Sequence, residues 1–197
     1  MPKHHFTFYI DNDNKFESFL ESKQCTGICK NGNQCRKIVV LGLPYCYVHL
    51  LSQKHLRIKK STIEGAGNGL FSMDTKKGEN DIIFKKDEII GAYTGEILNR
   101  DQLDERYGED NTAPYALQIS NNKYVDASIQ RCFMSICNHG NNTKANARFV
   151  NSVSRGGITP NYLIIRATKP IRNNCEILIN YGKEYKFEYN HETKLKR

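Results

Sequence analysis

The chain has 197 residues, 39% hydrophobic and 25% charged, with seven cysteines and a formal net charge of +8. That length suits one modest domain plus an extension, and no apolar run approaches the roughly 20 residues that cross a bilayer, so no membrane contact is expected. The start, Met1-Pro2-Lys3-His4-His5, lacks the apolar stretch of a secretory signal, so the cysteines are expected as thiols or metal ligands inside the cell, in nucleus or cytoplasm.

The first third of the chain is basic. Residues 21–60 carry Lys23, Lys30, Arg36, Lys37, Lys54, Arg57, Lys59 and Lys60 against one acid, Glu21. Such an excess suits an acidic partner, nucleic acid above all, or else a solvated surface. Within it lie Cys25, Cys29, Cys35, Cys46 and His49, among the turn formers Gly27, Asn31-Gly32 and Pro44. Zinc takes four such ligands, and closing a loop around it supplies folding energy that one short apolar run (Ile38, Val39, Val40, Leu41, Leu43) does not. Five candidates compete for four places. The segment resembles small Cys/His modules that end in Tyr-Cys-x-x-His, and that resemblance selects Cys25, Cys35, Cys46 and His49 for one structural zinc ion. Cys29 in place of Cys25 stays open.

Lys54 to Lys60 is expected as a basic linker. Gly65-Ala66-Gly67-Asn68-Gly69 follows it, without the long helix that a dinucleotide-binding fingerprint would need. From there the signals are short strands: 87–93, 115–120, 123–126, 146–153, 162–167 and 176–181. Asn121-Asn122 fits a two-residue hairpin turn, since Asn tolerates positive φ. Short helices are expected over 99–107 and 128–137, the second with Ile129, Cys132, Phe133 and Ile136 on one face. The acids Asp101, Asp104, Glu105, Glu109 and Asp110 around the first helix suit a basic peptide. The pattern implies a mainly β chain with a little α, in several small sheets.

Four segments in order carry a resemblance: the glycine loop, Ile89-Ile90-Gly91-Ala92-Tyr93-Thr94-Gly95-Glu96, Ile136-Cys137-Asn138-His139-Gly140, and Glu176-Ile177-Leu178-Ile179-Asn180-Tyr181-Gly182. Together they resemble the SET domain of protein lysine methyltransferases, and most closely the small SET domains of large DNA viruses, which also end in Tyr-Gly-x-x-Tyr. The resemblance implies a fold whose last strand threads a loop as a pseudoknot. It implies an arm with the Cys/His module over 1–53, a linker over 54–60, the SET domain over 61–182, and a tail, 183–197, that closes a lysine channel.

The activity implied is methyl transfer from S-adenosylmethionine to lysine, most plausibly on a histone tail. Such transfer needs a neutral amine aligned with the methyl group, and an apolar channel walled by tyrosines disfavours the ammonium. By resemblance Tyr181 is the catalytic wall, with Tyr115 and Tyr185 beside it and Tyr93, Ile179 and Phe187 lining the channel. Gly67, Asn68 and Gly69 let the backbone approach the cofactor, and Asn138 with His139 holds its adenosine part. Ile179 stands two before the catalytic tyrosine, where an apolar residue goes with di- or trimethylation. Gly140-Asn141 replaces the family's Ser-Cys, and no cysteine cluster follows Tyr181. An inactive scaffold, or a nucleic-acid adaptor working through the basic arm, is the alternative. The oligomeric state stays open, a dimer included.

Overall fold

The computed structural model describes residues 3–9, 15–39, 42–109, 113–151 and 161–182, with side chains from residue 19 onward. It is built from six small sheets and little helix. Among these residues no helix is long and apolar enough to cross a membrane.

Lys3–Tyr9 and Lys15–Glu21 form an antiparallel hairpin that leads into the Cys/His module. The module consists of a two-residue ladder, Lys23–Gln24 with Ile38–Val39, and the helix α1, Tyr47–Lys54. Next, Leu56–Lys60 pairs with Asn68–Ser72 across the glycine loop. The expected linker is therefore corrected: most of it is a strand. Leu56 is fully buried and Ile58 half-buried, alternating with Arg57 and Lys59, a period of two that the density of lysines obscures.

The central sheet has five strands in the order Asn138–His139, Leu178–Ile179, Ala147–Asn151, Leu163–Ala167 and Ile89–Tyr93. Its topology is the main result. Leu178–Ile179 runs parallel to both Asn138–His139 and Ala147, so it lies between two segments joined by residues 140–146. The chain threads under its own loop, as the resemblance implied, although such threading is rare. Both ends of the loop grip the inserted strand: Gly140 N donates to Ile179 O at 3.0 Å and Asn146 N to Leu178 O at 3.0 Å. The Asn146 side chain adds a second clasp, donating to Glu176 O and accepting from Leu178 N. A Cβ on Gly140 would meet the Leu178 Cβ at 2.8 Å, so glycine permits the close crossing.

A three-stranded sheet, Ala116–Ser120, Lys123–Asp126 and Glu96–Leu98, supports α2, Arg100–Tyr107. The hairpin turns at Asn121-Asn122 as expected, with Asn122 at φ 53°. Asn99 caps α2 reciprocally with Gln102, which fixes the expected start of that helix. Beneath it, fully buried Asp126 accepts from Arg106, Tyr107 and Ser128, and Arg106 also pairs with Glu96. A second expectation is corrected after this network. Residues 128–137 do not form a helix but one 3-10 turn, Phe133–Ile136, because the run is interrupted at Cys132, which is extended and whose Sγ accepts from Thr94 N. Ile82–Phe84 and Ile171–Arg172 form a last small ladder. The turn after Ser72 is anchored by Asn173, whose side chain bonds Asp74 and Lys77 backbone groups.

Candidate functional site

The threaded strand brings together residues that are distant in sequence. Asn138 and His139 lie directly beside Leu178 and Ile179, and Tyr181 follows two residues later. Tyr181 N donates to His139 Nδ1 at 3.2 Å, and the two rings stand edge to face at 5.4 Å between centroids. Burial lowers the His139 pKa, so the ring is neutral at pH 7, with Nδ1 accepting from Tyr181 N and the proton on Nε2. The Tyr181 hydroxyl donates to Cys137 O, which fixes the ring from its other end.

Tyr93, Tyr115 and Tyr181 converge. Burial, and then the neighbouring Cys132, Asp126, Tyr181 and Tyr115, hold the Tyr93 pKa well above its ordinary value, so it stays a neutral donor. Its hydroxyl donates to Tyr115 O at 2.7 Å, and its ring meets Phe149 edge to face. Tyr115 itself is half-buried, with the Arg131 guanidinium 4.6 Å above its ring. Ile179 is fully buried, on the threaded strand. Tyr185 and Phe187 lie outside the described residues.

The glycine loop closes through Ser61 N to Gly67 O, with Gly65 and Gly67 at φ 77° and 66°. Asn68 O accepts from Asn138 Nδ2 at 3.0 Å. A residue to which the sequence reading gave no role binds these parts together. Glu176, only 6% exposed, accepts from Ser61 Oγ, from Thr62 N and Oγ1, and from Asn138 Nδ2. Burial would raise its pKa, but the donors from Thr62, Asn138 and Ser61 outweigh it and hold the carboxyl below its ordinary value. Gly69 is glycine for the same reason: a Cβ there would stand 2.1 Å from a Glu176 carboxylate oxygen. The sequence signal was a lone acid at the start of an apolar strand, as the first residue of a segment already singled out.

In the Cys/His module the structure selects among the five candidates. The ligand atoms of Cys25, Cys35, Cys46 and His49 all lie within 4.8 Å of one another, and all four residues are buried. Cys29 is not in the cluster. Cys46 N and Gly27 N donate to Cys25 Sγ, and His49 Nδ1 lies 3.4 Å from the sulfurs of both Cys25 and Cys46. Burial raises the Cys25 pKa; it opposes ionisation of Cys46 too, but the His49 and Val48 backbone and the His49 and Cys25 side chains bring Cys46 down to about 7. Three soft sulfurs and one imidazole in a closed cluster fit a structural zinc ion.

The sequence matches the SET domain family model over residues 82–182. No curated protein sequence matches it significantly. Among solved structures it is similar to Polycomb repressive complex 2 of the fungus Chaetomium thermophilum in an autoinhibited conformation bound to S-adenosylmethionine, at 24% identity and a TM-score of 0.52 over 68% of this chain. A crystal structure of that complex gives 23% identity and a TM-score of 0.54 over 67%. The match spans only 16% of the fungal chains, and at this identity the likeness concerns the fold.

Two outcomes follow from this geometry. Metal analysis is expected to give one zinc per chain, kept in Cys29→Ser and lost in Cys25→Ser; the reverse pattern would move the ligand set to Cys29. A carboxyl with a depressed folded-state pKa contributes stability above its unfolded value, about 4.3 for Glu, and loses it as pH falls through the lower folded value. Glu176→Gln sets an amide donor against the Thr62 and Asn138 donors. It should cost about 1–3 kcal/mol at pH 7, and chemical denaturation should show the gap from wild type narrowing in acid.

Proposed function

Since the chain belongs to the SET-domain family, we propose that it is a protein-lysine N-methyltransferase that uses S-adenosylmethionine. The observation that carries this reading is the junction of Asn138-His139 with Tyr181 across the threaded strand, beside a glycine loop tied in through Glu176. The cofactor supplies a methyl group on a positively charged sulfur. Gly67, Asn68, Gly69, Asn138 and His139 are assigned to hold it; the open space beside Gly67, at positive φ, suits a close approach to the backbone there, and Asn138 ties the loop to the threaded strand.

The lysine amine must arrive neutral, against a free pKa of about 10.4. Tyr181, Tyr115 and Tyr93 supply a wall that excludes water, with Ile179 behind it, and the low polarity favours the uncharged amine. Tyr181 and Tyr115 are assigned as the groups that orient it. Tyr93 serves as the buried brace, its hydroxyl already engaged by Tyr115 O. By the family likeness Tyr185 and Phe187 close the channel. The resemblance to viral SET domains rests on the same terminal pattern, Tyr181-Gly182-Lys183-Glu184-Tyr185.

The substrate we propose is a basic, lysine-containing segment such as a histone tail. Exposed Asp101, Glu105 and Glu109 on and beside α2 suit its charge. Zinc on Cys25, Cys35, Cys46 and His49 serves structure only, and thiol ligands suit a reducing nucleus or cytoplasm.

Incubation with labelled cofactor and core histones should place label on lysine. No transfer to histones or to any lysate protein, with the fold intact, would favour an inactive scaffold. Tyr181→Phe should cut turnover by about one to three decades; an unchanged rate would mean that another tyrosine orients the amine. Ile179 has no hydroxyl to anchor a blocking water, so mass spectrometry should find dimethyl- or trimethyl-lysine. Ile179→Tyr should shift the products toward monomethyl-lysine.

A further inference from the structure

The basic excess of residues 21–60 is not consumed by the proposed methyl-transfer site. Among the described residues, none of its eight cations takes part in an ion pair with a carboxylate. Three of them rest on aromatic rings instead. Lys37 Nζ lies 4.7 Å from the Tyr47 ring centre, Lys54 Nζ 5.5 Å from that of Tyr45, and Lys59 Nζ 4.2 Å from that of Phe71. A lysine is ordinarily a flexible point charge, and one already placed on a ring gives up less freedom when it meets an anion.

The supporting elements are contiguous. α1 carries Tyr47 and Lys54 and packs on the Leu56–Lys60 strand, to which it is joined by His55 in a left-handed turn. In that strand Leu56 and Ile58 pack into the core; Arg57 and Lys59, both half-buried, lie on the other side, where Lys59 Nζ also donates to Asn174 Oδ1. Tyr45 and Phe71 are themselves packed, the first against Phe133 at 5.8 Å and the second in the interior, so their lysines have rigid seats. Tyr47 differs: it is 65% exposed, beside Lys37.

We propose that the Cys/His module and the Leu56–Lys60 strand form a nucleic-acid-binding face. Lys37, Lys54, Arg57 and Lys59 meet backbone phosphates, and Tyr47 stacks on an unpaired base. An acidic protein surface would satisfy the charge equally but has no use for an exposed ring that already carries a cation. A nucleotide presents both a phosphate and a flat base, and the pairing of cation with exposed aromatic is what single-strand binding employs. This inference is independent of methyl transfer, so it stands or falls without cofactor or protein substrate.

The test is fluorescence anisotropy of the full chain with a short labelled single strand and with the matching duplex, across a salt series. Binding should weaken steeply with salt and be tighter for the single strand. Lys37→Glu with Lys59→Glu should weaken it at least about tenfold and flatten the salt dependence, since each lost phosphate contact removes close to one unit of slope. Tyr47→Ala should cost the single strand about tenfold and the duplex far less. Unchanged thermal midpoints would show the variants folded. Absent binding at low salt, binding indifferent to the charge reversals, or equal losses for single strand and duplex in Tyr47→Ala would each overturn the proposal.

Discussion

The buried carboxylate of Glu176 is the shared acceptor at the point where strand pairing brings three parts of the chain together. It begins the threaded segment, it binds Ser61 and Thr62 ahead of the glycine loop, and it accepts from Asn138. A charge taken out of water is costly unless its lone pairs are satisfied, and here every donor comes from a segment needed for the site. The direction of its pKa shift says that the donors prevail over burial. The glycine at position 69 is a consequence, since any side chain would occupy the space of the carboxylate. The local geometry of the glycine loop is in this way tied to the first residue of the threaded segment.

Around that anchor the architecture is economical. A two-residue strand suffices for the central crossing because the flanking loop is stitched to it on both sides by Gly140 and by the Asn146 main chain and side chain. Tyr181 leaves this strand with its N–H bound to His139 and its hydroxyl bound to Cys137 O, so both ends of the residue are fixed by the segment alongside. The Cys/His module reaches the same region by packing: Tyr45 lies against Phe133, in the 3-10 turn that runs directly into Cys137-Asn138-His139. Metal-dependent folding of the module would in this way support the segment that faces Tyr181.

Much of this was legible in the sequence where the signal is local or motif-like. Asn99 announces α2, Asn121-Asn122 announces a hairpin, and Asn138-His139 with Tyr181 marks the pair of segments that the topology joins. The illegible features depend on partners remote in sequence. Nothing near Glu176 reveals that Ser61 and Thr62 will supply its donors. The choice of Cys25 over Cys29 is made by backbone folding around Gly27, whose Cα lies so near the His49 ring that a Cβ would be 2.4 Å from it. The strand Leu56–Lys60 was hidden by its basic residues although its alternation was present. The amino-terminal hairpin went unread too, despite alternating Phe6 and Phe8 and the turn-forming Asp11 to Asn14. The helical period over 128–137 yielded only the 3-10 turn Phe133–Ile136, since Cys132 in its middle is extended and tied to Thr94 N.

The proposed function requires the threaded strand to assemble a single cofactor site from the glycine loop, Asn138-His139 and the segment ending in Tyr181. Titration calorimetry of S-adenosylmethionine into the full chain tests it most directly. The account predicts one site per chain, retained in Tyr181→Phe, which keeps the ring and backbone, and lost in Asn138→Ala, which removes the contact to the glycine loop. A folded protein that takes up no S-adenosylmethionine, or one whose binding is indifferent to Asn138→Ala, would contradict it.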